Sequence, residues 1–168
     1  MSNYLAFDLG AESCRAVLGK LDDNGKLRIE LLHRSPNSMI DVLGRLYWDI
    51  PGMWREMLTG IGTCVNQSSD DIESIGIDTW GVDFGLLDAQ GKLTGNPVAY
   101  RDSRRLLVMD ELMAEIPRER LYELTGIQIT FVNSIFELFA MVREKSPLLK
   151  IAEDLLFIPD IFNYFLTG

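Results

Sequence analysis

The stretch FDLGAESCR near the amino terminus combines residue types that can hold a phosphate group. Gly10 and Ala11 carry little or no side chain, which lets a ligand approach their backbone N–H groups closely, and Ser13 adds a hydroxyl donor. Arg15 can form a charge-assisted hydrogen bond to a phosphate oxygen. Asp8, at the end of an apolar run, can hold a hydrated Mg²⁺ beside such phosphates. The stretch therefore predicts either a phosphate-binding turn or a plain β-hairpin whose polar residues face water.

One feature of the same stretch argues against phosphate, because the carboxylate of Glu12 repels an anion unless the side chain points aside. The stretch is not the helix-opening P-loop, since the motif GxxxxGK[ST] is absent. The residues by themselves leave both interpretations open.

A second group of candidates lies in IGIDTWGVDFGLLD, where Asp78 and Asp83 flank the dipeptide Trp80-Gly81. Carboxylates can accept hydrogen bonds from sugar hydroxyls, and an aromatic face can pack against sugar C–H groups. A glycine inside a strand often marks close approach of a ligand. The alternative is structural, with Asp78 ending a strand and Trp80 filling core.

The segment AYRDSRR offers a similar mixture in Tyr100, Arg101 and Asp102. These residues can border a polyol, or they can form a solvated helix cap. The sequence alone favours neither.

Charge and composition narrow the class of protein. The net charge is −9 and no cluster of Lys and Arg stands out, which argues against nucleic-acid or anionic-membrane partners. No signal-like amino terminus is present and no apolar run approaches the roughly 20 residues that span a bilayer, so we expect a cytoplasmic protein.

The metal-binding side chains are few. Cys14 and Cys64 form no zinc-binding spacing, and His33 is the only histidine. A histidine-dependent triad is therefore not expected. A disulfide between the two cysteines stays open, although a reduced protein is the simpler expectation.

Short apolar runs predict strands at both ends of the chain. YLAFDL, SCRAVLGKL and KLRIELLHR predict three antiparallel strands, with DDNG as the turn between the second and third. SIGI predicts a further strand, which Trp80-Gly81 interrupts before VDFGLLD resumes it.

Helical periodicity dominates elsewhere. Asp49 and Pro51 mark a helix start, and RRLLVMDELMAEI is helical. Pro117 opens a short helix that Gly126 caps, and DLLFIPDIFNYFLTG predicts a strand followed by a helix, with Pro159 between them. Strands and helices in this order predict an α/β or α+β fold. The apolar faces expected are Trp54, Met57, Leu58, Ile61 and Val65 on the helix after Pro51, and Ile135, Leu138, Phe139 and Val142 on the helix NSIFELFAMVREK.

Taken together, FDLGAESCR, SIGIDTWGVDFGLLDAQGKLTGNPVAYRDSR, LYELTGIQ with FVNSIFEL, and LLFIPDIFNYFLTG resemble the amino-terminal domain of the FGGY carbohydrate kinases. Within that family the resemblance is to members that act on L-rhamnulose. It implies an actin-like, ribonuclease H-like α/β fold, with a mixed sheet and flanking helices. It also implies transfer of a phosphoryl group from ATP, with Mg²⁺, to the 1-hydroxyl of L-rhamnulose.

The resemblance also assigns site residues. Asp8 would hold Mg²⁺ through water and Gly81 would contact the sugar. The implied ATP-binding residues are Asp8, Gly10, Ala11, Glu12, Ser13, Cys14 and Arg15, and the implied sugar-binding residues are Trp80, Gly81, Val82, Asp83, Tyr100, Arg101, Asp102 and Asn133.

Two departures from the family pattern bear on activity. Cys14 stands where these kinases usually have glycine, so it either crowds the phosphate turn or points away from it. The family's catalytic base is an Asp in a His-Asp-Thr segment, whereas His33 is followed by Arg-Ser. We therefore expect residues 1–168 to be a truncated amino-terminal domain that lacks the base and the carboxy-terminal domain, and that is inactive alone. The alternatives are a kinase for L-fuculose or D-xylulose, or a non-catalytic module that binds sugar or nucleotide.

Overall fold

A computed structural model describes residues 2–67 and 71–168. The chain divides into two compact units. The first unit comprises Met1–Ser38, Asp49–Trp80 and Pro159–Gly168, and the second comprises Met39–Trp48 and Gly81–Ile158. In chain order the elements are β1 (Ser2–Leu9), β2 (Ser13–Leu21), β3 (Leu27–Pro36), β4 (Met39–Val42), β5 (Arg45–Trp48), α1 (Ile50–Gln67), β6 (Ile72–Thr79), β7 (Phe84–Asp88), α2 (Arg104–Glu115), α3 (Arg118–Thr125), α4 (Ser134–Arg143), α5 (Leu148–Ile151), β8 (Ala152–Phe157) and α6 (Ile158–Thr167).

The first unit is built on a four-stranded mixed sheet in the order β3-β2-β1-β6. β1, β2 and β3 are antiparallel, as the sequence predicts, and β6 runs parallel to β1. Alternation along β1 and β2 turns one set of side chains into the core. That set is Leu5, Phe7, Leu9, Cys14, Ala16 and Leu18.

Helix α1 packs against β1, β2 and β3 through a face that matches the prediction only in part, since Met57 is buried as predicted. Leu58 is 49% exposed and Val65 is 67% exposed, so the predicted stripe was wrong at these two positions. The physical reason lies at Gly60, where an added Cβ would come within 2.6 Å of the Ala16 Cβ and 3.1 Å of the Phe7 ring. Because glycine lets the helix approach the sheet closely, its own side of the helix faces the core. The buried positions are Ile50, Met53, Met57, Gly60 and Cys64.

The end of the chain adds α6 to the first unit. Ile161 and Phe162 are buried, and the Phe165 ring meets the Trp54 ring edge to face at 5.5 Å between centroids. The predicted strand-to-helix junction at Pro159 is confirmed, since β8 ends at Phe157 and α6 begins at Ile158.

The second unit contains two antiparallel strand pairs, β4-β5 and β7-β8, with helices α2 to α5. β7 does not resume β6, as the sequence suggested, because it pairs with β8 in a sheet of its own. Gly126 has φ +67° and its N–H donates to the Tyr122 carbonyl, which confirms the predicted helix cap. None of the described helices is long and apolar enough to cross a membrane.

The buried face of α4 also differs from the prediction. Phe136, Glu137, Ala140 and Met141 are buried, whereas Val142 is 61% exposed. Hydrophobic periodicity does not count a charged residue such as Glu137 as buried, so it predicts a face that is rotated away from the one observed. Glu137 lies there because Arg104, also buried, forms an ion pair with it.

Candidate functional site

The predicted phosphate turn joins β1 to β2 in the first unit. The Gly10 N–H donates to the Ser13 carbonyl at 2.9 Å, which closes the turn. A Cβ at Gly10 would lie 3.3 Å from that same carbonyl oxygen, so the turn has little space for a side chain there. Ala11 is half-buried and Glu12 is exposed. The turn therefore presents backbone to solvent, with the Glu12 carboxylate outside the core.

Asp8 and Arg15 lie directly opposite each other on β1 and β2. Their side chains form an ion pair at 2.8 Å, and each is 44% exposed. An exposed pair of this kind contributes only about 0.2–1 kcal/mol, so little free energy opposes exchange of these partners for ligand groups. A single exposed carboxylate fits a Mg²⁺ that keeps most of its waters and also binds phosphate oxygens. No cluster of three potential metal-ligating side chains occurs among the described residues.

Asn37 anchors the turn from the end of β3, and sequence analysis missed it. Its side-chain Nδ2 donates to the Gly10 carbonyl at 2.8 Å, and its backbone N–H donates to the Glu12 carbonyl at 3.0 Å. The residue is only 8% exposed. Its distance from Gly10 along the chain hides this role from any local motif, and only the pairing of β3 with β2 brings the two together.

Cys14 points away from the turn. Side chains alternate along β2, so Ser13 and Arg15 face outward while Cys14 is 4% exposed in the core. Burial, helped by the nearby carboxylates of Glu56 and Asp8, raises the pKa of the Cys14 thiol to about 11. Where the resemblance implies glycine, Cys14 therefore adds bulk to the core side of the sheet and not to the turn. Cys14 and Cys64 are both free thiols, which answers the open disulfide question.

Asp83 belongs to the second unit and is fully buried. Its carboxylate accepts hydrogen bonds from Trp48 Nε1 at 2.6 Å, from the Tyr100 N–H at 3.1 Å and from Arg105 Nη2 at 2.6 Å. Burial raises the pKa of Asp83, although Arg105 and the hydrogen bonds oppose it, and burial lowers the pKa of Arg105. Desolvation thus disfavours both charges, so each charged side chain is stable in the core only when the other one compensates its charge. These contacts give Asp83 a structural role, and its contact with sugar stays a prediction.

Asp102 is also held by protein donors. It is 1% exposed and accepts from the Leu46 N–H at 2.8 Å, the Arg104 N–H at 2.9 Å and Arg45 Nη1 at 3.3 Å. Burial opposes its ionisation, but these donors outweigh burial and hold the pKa of Asp102 below its usual range. The carboxylate thus ties the start of α2 to β5.

The neighbours of Asp102 are more accessible. Tyr100 is half-buried and Arg101 is exposed, with its guanidinium 5.6 Å from the centroid of the Tyr100 ring. Trp80, which belongs to the first unit, is half-buried. Trp80, Tyr100 and Arg101 therefore have side chains that a ligand could reach.

Three other predicted sugar residues, Gly81, Val82 and Asn133, line one cavity of about 350 Å³ in the second unit. Ser134 Oγ donates to the Val82 carbonyl at 3.0 Å, and Asn133 Oδ1 accepts from the Thr130 N–H at 2.8 Å. These two hydrogen bonds hold the polar part of the cavity wall in place. The remaining wall is mostly apolar and can bind an apolar part of a small ligand. It consists of Leu121, Thr125, Ile127, Ile129, Ile135 and Phe157.

Comparison with known proteins identifies the family. The amino-terminal domain model of the FGGY family of carbohydrate kinases matches residues 3–168. The chain belongs to this family. It is 42% identical to a rhamnulokinase of Bacteroides thetaiotaomicron, over 99% of this chain and 34% of that protein. A rhamnulokinase of Oceanobacillus iheyensis is also 42% identical, over 98% of this chain and 34% of the relative. The chain thus spans about a third of the length of these curated relatives.

Solved structures confirm the predicted fold. A gluconate kinase from Lactobacillus acidophilus superposes with a TM-score of 0.79 at 16% identity, covering 92% of this chain and 31% of that one. A xylulose kinase from Rhodospirillum rubrum gives a TM-score of 0.78 at 20% identity, covering 96% and 33%. At such identities the likeness concerns the fold alone, which is the α/β, actin-like fold with a mixed sheet and flanking helices.

Proposed function

We propose that the complete protein transfers a phosphoryl group from ATP, with Mg²⁺, to the 1-hydroxyl of L-rhamnulose. The products are L-rhamnulose 1-phosphate and ADP. The observation that carries this proposal is the 42% identity to a rhamnulokinase across 99% of the chain. Residues 1–168 then form the first part of the amino-terminal domain of a two-domain kinase.

The β1–β2 turn supports the nucleotide half of the proposal. Backbone N–H groups of the turn, other than that of Gly10, which donates to the Ser13 carbonyl, would hold the phosphates, and Arg15 would add a charge-assisted hydrogen bond. Asp8 would hold Mg²⁺ through water, and a bound ion would supply positive charge beside the phosphates. Because phosphoryl transfer depends mainly on positioning, a closed and anchored turn suits this task.

The apolar cavity beside Gly81 and Val82 supports the sugar half. L-rhamnulose is a 6-deoxy ketose, so one end of the molecule is a methyl group, whereas D-xylulose has no sixth carbon. Apolar walls favour a methyl over a hydroxyl, because a hydroxyl buried without a partner loses its hydrogen bonds to water. Gly81 carries no side chain and lets a ligand approach the backbone.

The complete protein also needs a general base for the reaction, and it has a cellular location. The base is an Asp of a His-Asp-Thr segment outside residues 1–168, so the chain alone has no measurable turnover in this account. The two free, buried cysteines support a reducing, cytoplasmic location.

The test is a coupled ADP-release assay on the complete gene product with four sugars at matched concentrations. We expect kcat/KM to be highest for L-rhamnulose and lower for L-fuculose and D-xylulose. L-fructose is the matched control, since it differs from L-rhamnulose only by a hydroxyl at C6, and we expect it to be about tenfold or more poorer. Faster turnover of D-xylulose or L-fuculose refutes the substrate, and equal use of L-fructose refutes the role of the apolar cavity.

A further inference from the structure

We propose that Asn37 is a positioning residue that orients the β1–β2 turn for phosphate binding. The proposal rests on the proposed function, because it concerns the same nucleotide site. Asn37 is buried and both of its donors meet the turn, the side-chain amide at the Gly10 carbonyl and the backbone N–H at the Glu12 carbonyl.

Because the peptide bond is planar, these two carbonyl contacts also determine the directions of the Ala11 and Ser13 N–H groups. In a trans peptide the carbonyl and the following N–H point in opposite directions. The Gly10 carbonyl is directed at Asn37, so the N–H of Ala11 points away from Asn37. The Glu12 carbonyl is directed at the same residue, so the N–H of Ser13 also points away from it. One residue thus turns two N–H groups away from itself, and oriented backbone N–H groups are what bind anions.

The Asn37 amide also replaces the usual local partner of the first carbonyl. In a tight two-residue turn the Gly10 carbonyl would accept from the N–H of Ser13. Here it accepts from Asn37 Nδ2 at 2.8 Å instead. The Asn37 side chain therefore determines the direction of the Ala11 N–H. The Asn37 backbone N–H holds the Glu12 carbonyl, and it does so with any side chain at this position.

The substitution that isolates this effect is Asn37→Ala in the complete protein. It removes the amide donor and leaves the backbone N–H bond to Glu12 in place. We expect the dissociation constant for MgATP, measured by calorimetry without sugar, to rise about tenfold or more. The KM for sugar should change less than twofold, which is a split that general destabilisation does not produce. Asn37→Ser, whose hydroxyl is too short to replace the amide, gives the same test if the alanine variant does not fold.

Ser35→Ala is the matched control, because it lies two residues earlier on β3 and is also buried. Its Oγ has no hydrogen-bond partner in the described part of the chain, so the variant should bind MgATP as the parent does. An unchanged dissociation constant in Asn37→Ala overturns the inference, as does absence of MgATP binding by the parent protein. Normal MgATP binding without turnover of L-rhamnulose contradicts only the proposed function.

Discussion

The buried ion pair of Asp83 and Arg105 offers a sharp test of the structure. Both side chains are fully buried, and they meet at 2.6 Å. Asp83→Asn keeps the shape of the side chain but removes its charge, and it leaves the Arg105 guanidinium without a counter-ion at this contact. The amide also brings an NH₂ group to a position surrounded by donors.

The expected cost follows from the burial of both partners. Removing one member of a buried pair destabilises proteins by about 3–5 kcal/mol, and we expect the lower part of this range here because Glu137 Oε2, 3.7 Å from Arg105 Nε, still offsets part of the charge. Asp78→Asn is the matched control, since it makes the same substitution at an exposed carboxylate five residues earlier, and it should stay within about 0.5 kcal/mol of the parent. The two aspartates look alike in the sequence, so the difference tests the structure itself.

The measurement is the free energy of unfolding in urea for the parent, both single variants, and the double variant Asp83→Asn with Arg105→Met. The double variant should recover part of the loss, because no unpaired charge is left. Equal and small losses for Asp83→Asn and Asp78→Asn refute the account of the pair. If Asp83→Asn also raised the KM for sugar in the complete protein, these results would indicate that Asp83 binds the sugar.

Three further outcomes follow from the packing and the pKa shifts. Gly60→Ala should lower the free energy of unfolding by about 1–3 kcal/mol through overpacking, whereas Gly62→Ala, with nothing within 4 Å of the new Cβ, should raise it by up to about 1 kcal/mol in the same urea titration. Because the pKa of Asp102 is lowered in the folded state, its carboxylate stabilises the fold above the unfolded pKa of about 3.9 and loses this effect as pH falls through the folded pKa. Asp102→Asn should therefore flatten the decline in stability as pH falls below about 5, and an unchanged slope contradicts the assignment. Cys14 and Cys64 should resist iodoacetamide at pH 8 in the native state and react in urea, as mass spectrometry would show, because both are buried and both pKa values are raised.

The strands of the first unit could be predicted because their signals are local. Alternating apolar residues in β1 and β2 and the DDNG turn before β3 determine strands and pairing without information from elsewhere. The face of α1 could not be predicted in the same way. The buried side of α1 depends on how closely Gly60 approaches Phe7 and Ala16. Hydrophobic periodicity carries no information on that distance.

The site shows the same division between local and distant information. The residues of the phosphate turn follow one another in FDLGAESCR, so their residue types alone suggested phosphate chemistry. Asn37 and Arg105 act on residues 27 and 22 positions away, and no spacing rule links them to their partners. Asp83 has the residue type of a ligand contact, yet only the structure shows three protein donors around it.

The most direct test of the proposed kinase is to detect the product of its reaction. The complete protein would be incubated with L-rhamnulose and MgATP, and the phosphorus spectrum followed by nuclear magnetic resonance with proton correlation. We expect a new phosphate monoester coupled to the C1 protons, formed in step with ADP. No ester, or an ester on another carbon, would contradict the proposal that this chain is part of an L-rhamnulose kinase.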